Sequence, residues 1–211
     1  MTARNVSFAF LCEGSSDTGL IAHLETLLVD FGAQEATGMP DTRKGTIPAR
    51  LRQLRAEGTE AGIDMVFIHR DSDDPDRKGR EREIRRGVEE SGFPHPFIPV
   101  IPVQETEAWL LLDEQAIRDV VACPKGKQPL KLPKPNAIEG TRNPKEILQK
   151  ALLAASETSG RRLKKEKNSF SRHRRVLMQR LDPFGAVRNL PSWQCLERDI
   201  KRALAQLENQ S

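Results

Sequence analysis

A mostly parallel α/β sheet flanked by helices is what this sequence predicts, on two observations. Three apolar, strand-forming runs are separated by segments of helical periodicity. Those segments are long enough to cross over between parallel strands, which favours a sheet with helices packed on it.

Val6 to Cys12 (VSFAFLC) predicts a buried strand. Asp17 or Thr18 is placed to cap the helix that follows, whose apolar positions Leu20, Ile21, Leu24, Leu27, Leu28 and Phe31 recur at helical spacing, with Gly32 where a C-cap glycine would stand. Ile47 to Arg55 reads as a basic amphipathic helix, and Ile63 to His69 (IDMVFIH) as a second strand. A loop from Arg70 to Gly79 leads to a charged helix over about Arg80 to Ser91. Phe97 to Val103 (FIPVIPV) predicts a third strand, near an edge or a bulge because of Pro99 and Pro102. Glu107 to Leu112 opens another helical run.

After Cys123 the character changes. Pro124 to Pro135 is a Pro/Lys-rich connection, Asn143-Pro144 is a helix start with proline in the first turn, and a last helix is expected to be capped by Ser192. The expected organisation is therefore an α/β core over 1–122 and a basic helical C-terminal extension over 123–211, packed on that core.

Composition bounds the function classes. With 37% hydrophobic and 30% charged residues over 211 positions, the chain is an ordinary polar-surfaced globular sequence. No run approaches the ~18 apolar residues of a membrane helix, and no signal peptide is read at the N-terminus, so the expected place is the cytoplasm. Cys12, Cys123 and Cys195 are isolated, which supports neither a zinc knuckle nor a disulfide framework. The net charge of +4 is unevenly spread: Arg161 to Arg180 holds nine Lys or Arg against one acid, Glu166. Arg161, Arg162, Lys164, Lys165, Arg174 and Arg175 are the candidates for nucleic-acid backbone contact, against the plainer alternative of a solvated helix face.

All three apolar strands end in acids. The first ends at Glu13 with Asp17 four residues on, the second in Asp71 and Asp73, the third in Glu105 and Glu107. If the strands are parallel and adjacent, the clusters meet at one sheet edge, where ligands of such sheets bind. Six carboxylates there repel one another unless a cation is present, and hard oxygen donors suit Mg²⁺ or Mn²⁺, two of them on this reading. Taken singly, each cluster is equally well a helix cap, a polar loop or a solvated strand end.

The order of these motifs resembles the Toprim fold, a Rossmann-like α/β arrangement with a Glu after the first strand and a D-x-D after a later one. Glu13 and the Asp71/Asp73 pair match that pattern, and Asp17 with Glu105/Glu107 matches the further acids of its nuclease branch, the overcoming-lysogenization-defect family. The wording "EGSSD", "RDSDD", "ETEAWLLLD" and "NPKE" is most similar to the small bacterial Toprim-like proteins of the DUF4276 group. The resemblance implies a metal-dependent endonuclease for DNA or RNA, with Glu13 as metal ligand or general base and Asp71, Asp73 and Glu107 in the catalytic set. It also implies a lysine near the scissile phosphate, for which Lys145 is the candidate, and a phage-defence role gated by a separately encoded ABC- or AAA-type ATPase. The chain has no tyrosine for topoisomerase chemistry and no G-x-x-x-x-G-K-[ST] loop of its own. The alternatives are an RNA-processing Toprim nuclease and a non-catalytic module that binds nucleic acid or an ATPase.

Overall fold

The computed structural model describes residues 4–72 and 76–209. A four-stranded, all-parallel sheet organises them, built from β1 (Asn5–Leu11), β2 (Glu35–Asp41), β3 (Met65–His69) and β4 (Phe97–Val100) in the order β2-β1-β3-β4. The three strands read from the sequence are adjacent in it, and the proline-bearing β4 is an edge strand, as expected of a strand that lacks ladder donors.

Alternation along each strand divides the core between the two faces. Phe8 and Phe10 of β1, Met65 and Phe67 of β3 and Ile98 and Val100 of β4 point one way; Ala9, Leu11, Val66 and Ile68 point the other. Both sets are buried, as an all-parallel sheet requires. The second face is covered by α2 (Ile47–Ala56) and α3 (Lys78–Ser91), through Leu51, Leu54, Ile84 and Val88. The first face takes α1 (Ile21–Asp30), the short α4 (Glu107–Leu110) and α5 (Glu114–Val120). It also takes α6 (Pro144–Ala155), α8 (Phe170–Arg180) and α9 (Pro191–Glu208), whose Leu148, Leu177 and Trp193 lie in one hydrophobic cluster with Phe8 and Phe67. Residues beyond 123 thus supply about a third of the buried apolar core, all of it on this first face. Among the α-helices of the described residues, α7 (Gly160–Asn168) alone buries no side chain. No helix of the described residues is long and apolar enough to cross a membrane.

Two expectations are corrected. Ser192 is not the cap of the last helix: α9 starts at Pro191 after Leu190, and Ser192 is buried so that its hydroxyl accepts the Trp109 indole N–H at 3.1 Å. Trp109 stands edge-on to Trp193, with ring centroids 4.9 Å apart. β2, EATGMPD, is a strand the periodicity did not predict. Six of its seven side chains are exposed or only partly buried, so it carries no apolar alternation, and Gly38 and Pro40 further disguise it.

Gly38 has a packing reason. A Cβ there would lie 2.4 Å from the Phe8 ring and 2.7 Å from Ile21. Since Phe8 is fully buried, the ring has nowhere to go. Gly38→Ala is expected to lower stability by about 1–3 kcal/mol, the usual cost of overpacking, read as a lower urea midpoint at unchanged slope. An unchanged midpoint would mean that the β1–β2 contact is looser than drawn.

Candidate functional site at the carboxyl edge of the sheet

The hydrogen-bond alternation of a parallel ladder sets this edge. Beyond β3 the chain stays paired with the chain beyond β4: Arg70 N–H donates to Val100 O at 3.1 Å and Ser72 N–H to Pro102 O at 3.0 Å. The intervening Asp71 N–H must then point the other way, toward β1, and there it donates to the Glu13 carboxylate at 3.0 Å. Glu13, just past β1, is exposed. The first two acid clusters therefore do meet through a direct contact.

Asp71 is gripped from the β4 side. Its Oδ1 accepts the Thr106 N–H at 3.1 Å and the Thr106 hydroxyl at 3.0 Å. With its proton so directed, the Thr106 oxygen faces His69 Nε2 at 3.1 Å. His69, fully buried at the end of β3, lies 3.4 Å from Asp71 on that side and 3.6 Å from Asp17 on the other. Burial alone would raise the Asp71 pKa, but hydrogen bonds and charge from His69, with the two bonds from Thr106, outweigh it and hold the carboxyl below its usual range. Neither His69 nor Thr106 was among the residues singled out by sequence. An imidazole ending the apolar run IDMVFIH, two residues before an acid, was the available signal.

Asp17 of the first cluster and Glu107 of the third behave differently. Asp17 and Glu107 are both buried, and Arg174 of α8 lies between them, Nη2 to Asp17 at 3.0 Å and Nε to Glu107 at 2.7 Å. This corrects the expectation that Arg174 contacts nucleic acid: at 8% exposure it is inside the protein, and it supplies the positive charge that a metal ion was expected to supply. Asp17 also closes the 3₁₀ turn Ser15–Leu20 by accepting the Gly14 N–H at 3.0 Å. The position of Arg174 follows from its helix, since Phe170, Arg174, Leu177 and Met178 recur on one stripe that turns inward.

The remaining candidates divide. Glu105 accepts the backbone N–H of Lys145 at 3.0 Å, which brings the start of α6 and the exposed Lys145 to the edge. Arg161, Arg162, Lys164, Lys165 and Arg175 are exposed on α7 and α8. Asp73 lies outside the described residues. Asp41, which sequence reading passed over with its strand, is buried at the end of β2, where it bonds Arg43 at 2.9 Å and pairs with the buried Arg50, itself bonded to Cys12 O at 2.9 Å. Burial pushes the Cys12 thiol up to about 12, so it is no nucleophile. Arg70, the neighbour of Asp71, lines an open groove of about 790 Å³ between the start of α2 and α3 together with Arg82 and Arg86, opposed by Glu83 and Glu90. Among the described residues no group of three or more His, Cys, Asp or Glu side chains is placed to hold a metal ion.

A family model described as a domain of unknown function, DUF4276, matches residues 12–183, from the end of β1 through α8. No curated protein and no solved structure matches the chain.

The Asp41 pair makes a pH prediction. Burial raises the Asp41 pKa, but the hydrogen bonds from Arg43 and the charge of Arg50 outweigh it, leaving it below the ordinary 3.8. A carboxyl lowered in the folded state stabilises above its unfolded pKa and loses that contribution as pH falls through the folded value. The urea midpoint is expected to fall as pH drops below the ordinary carboxyl range and on through the lowered folded value, and Asp41→Asn is expected to start lower at neutral pH and fall less steeply. Parallel curves for the two proteins would remove Asp41 from the acid response.

Proposed function

The chain belongs to the DUF4276 family, and we propose that it is a divalent-cation-dependent phosphodiesterase acting on DNA or RNA, with its centre at Glu13 and Asp71. One observation carries this reading: the Glu13 carboxylate, just past β1, accepts the backbone N–H of Asp71, just past the adjacent β3, so two acids that solvent reaches stand at neighbouring positions of the carboxyl edge. That is where such sheets bind ligands, and hard oxygen donors of this kind suit Mg²⁺ or Mn²⁺.

The other acids fit a metal less well. Asp17 and Glu107 are taken by Arg174, and Glu105 by the start of α6. Glu13 and Asp71 would hold the cation, with Asp73 a further candidate. When bound, the cation neutralises phosphate charge and acidifies its water. Thr106 fixes the Asp71 oxygen, and the His69 ring backs Thr106, so the carboxylate is oriented before any ligand arrives. Lys145 is a candidate phosphate contact. The exposed basic residues of α7 and α8 would hold the nucleic-acid backbone through charge alone, without reading bases. Gating by a separately encoded ATPase, in phage defence, enters the proposal from the resemblance to the overcoming-lysogenization-defect nucleases.

A second reading is a non-catalytic nucleic-acid-binding module. What favours it is Arg174, which occupies two of the acids a catalytic metal centre would use. Matched DNA and RNA substrates incubated with Mn²⁺ separate the readings. Asp71→Asn and Glu13→Gln are expected to cut more slowly by about a hundredfold or more, as when several kcal/mol of transition-state stabilisation is removed, with circular dichroism unchanged. Neutralising Arg161, Arg162, Lys164, Lys165 and Arg175 is expected to weaken binding at all sequences and to flatten its salt dependence. Binding without cleavage by the wild-type chain, with and without a partner ATPase, would leave the second reading.

A further inference from the structure

The resemblance to two-metal nucleases and the geometry of this edge disagree over Asp17 and Glu107. We infer that Arg174 is a built-in cation that closes the Asp17–Glu107 pair to metal and so leaves Glu13 and Asp71, among the described residues, to hold a single divalent ion. The closure of the pair stands by itself; the single ion on Glu13 and Asp71 rests on the metal-dependent reading above.

Three observations support a fixed arginine rather than a surface side chain that happens to reach inward. First, Nε and Nη2 each meet one carboxylate, at 2.7 Å and 3.0 Å, and the third nitrogen, Nη1, is buried with no hydrogen-bond partner among the described residues. A guanidinium in that position is buried between two anions, and its remaining donor has no third protein acceptor among the described residues. Second, α8 is anchored beside it. His23 Nε2 meets Met178 O at 2.6 Å, and Gly19 approaches Met178 so closely that a Cβ there would stand 2.9 Å from its side chain. Third, His69 presents Nδ1 to Asp17 at 3.6 Å, so the carboxylate faces one imidazole and one guanidinium. Burial works against the Arg174 charge, but Glu107 and Asp17 outweigh it and raise its pKa above the ordinary value. It therefore stays charged at every physiological pH. A divalent ion brought to the same two acids would meet that charge at contact distance.

The experiment is a Mn²⁺ titration by calorimetry, with thermal melting in Mn²⁺ and in EDTA. Wild type is expected to bind one ion, Glu107→Gln, whose amide oxygen can still accept the Arg174 Nε–H and keep the side chain in place, to bind it still, and Asp71→Asn to lose it. Arg174→Met is expected to melt lower than wild type in EDTA and to gain a second ion. That ion should raise its Tm by roughly 5 °C or more at a hundred times its Kd, beyond any rise in wild type. The gain should vanish in the double variant Arg174→Met with Glu107→Gln. Loss of the wild-type ion in Glu107→Gln overturns the inference, and so does an Arg174→Met protein that Mn²⁺ does not stabilise. If Arg174→Met folds only in Mn²⁺ the inference stands, and failure to fold in either condition overturns it. If wild type binds no ion while Arg174→Met gains one, the metal reading of Glu13 and Asp71 falls and the closed pair remains.

Discussion

Asp17, Arg174 and Glu107 form one buried ion triad, and the arrangement of the edge depends on it. Asp17 follows β1, Glu107 follows β4, and Arg174 comes from α8. A charge left unpaired at such depth costs several kcal/mol, a large share of the ~5–15 kcal/mol by which a domain is stable. The triad therefore fixes three distant parts of the chain relative to one another more strictly than apolar contact does, because a guanidinium satisfies two carboxylates in few geometries. Its net charge is still negative by one, and the buried His69 beside Asp17 lies where that excess is felt.

Glu13 and Asp71 are spared this pairing for a reason in the backbone. Ladder alternation turns the Asp71 N–H toward β1 and gives the Glu13 carboxylate a donor without a countercharge. Both acids stand where solvent reaches them, while their inner neighbours are paired with arginine. Asp41 beyond β2 repeats the inner pattern with Arg50 and Arg43. Across the edge, acids that lie deep are answered by arginine and acids that face water are answered by N–H or O–H groups.

How much of this was legible follows from the same distinction. The three buried strands could be read because they are buried on both faces and so run apolar. β2 could not, because an edge strand with a glycine packed under Phe8 and a proline at Pro40 carries no period. Glu13, Asp17, Asp71 and Glu107 could be placed at one edge from the strands they follow. What opposes them could not, since nothing in the run RHRRVLMQR says which arginine turns inward until Phe170 and Leu177 are set on the same helical stripe. His69 and Thr106 were hidden by ordinariness, one at the end of an apolar run and the other between two glutamates. DUF4276 membership, suggested by the wording of the motifs, is shown by the family match.

The separation of the triad along the chain bears on how the protein is made. Arg174 follows Glu107 by 67 residues. At a synthesis rate of roughly 5–20 residues per second, the ribosome delivers the sheet about 3–13 seconds before the arginine that neutralises its edge. During that interval the face later covered by α8 and α9 has Trp109, Phe8 and Phe67 on it and no Trp193 or Leu177 to cover them. On that account the nascent sheet keeps apolar surface open and its two inner acids solvated until α8, and after it α9, arrives. A cell that makes this protein quickly has reason to keep a chaperone at hand for that window.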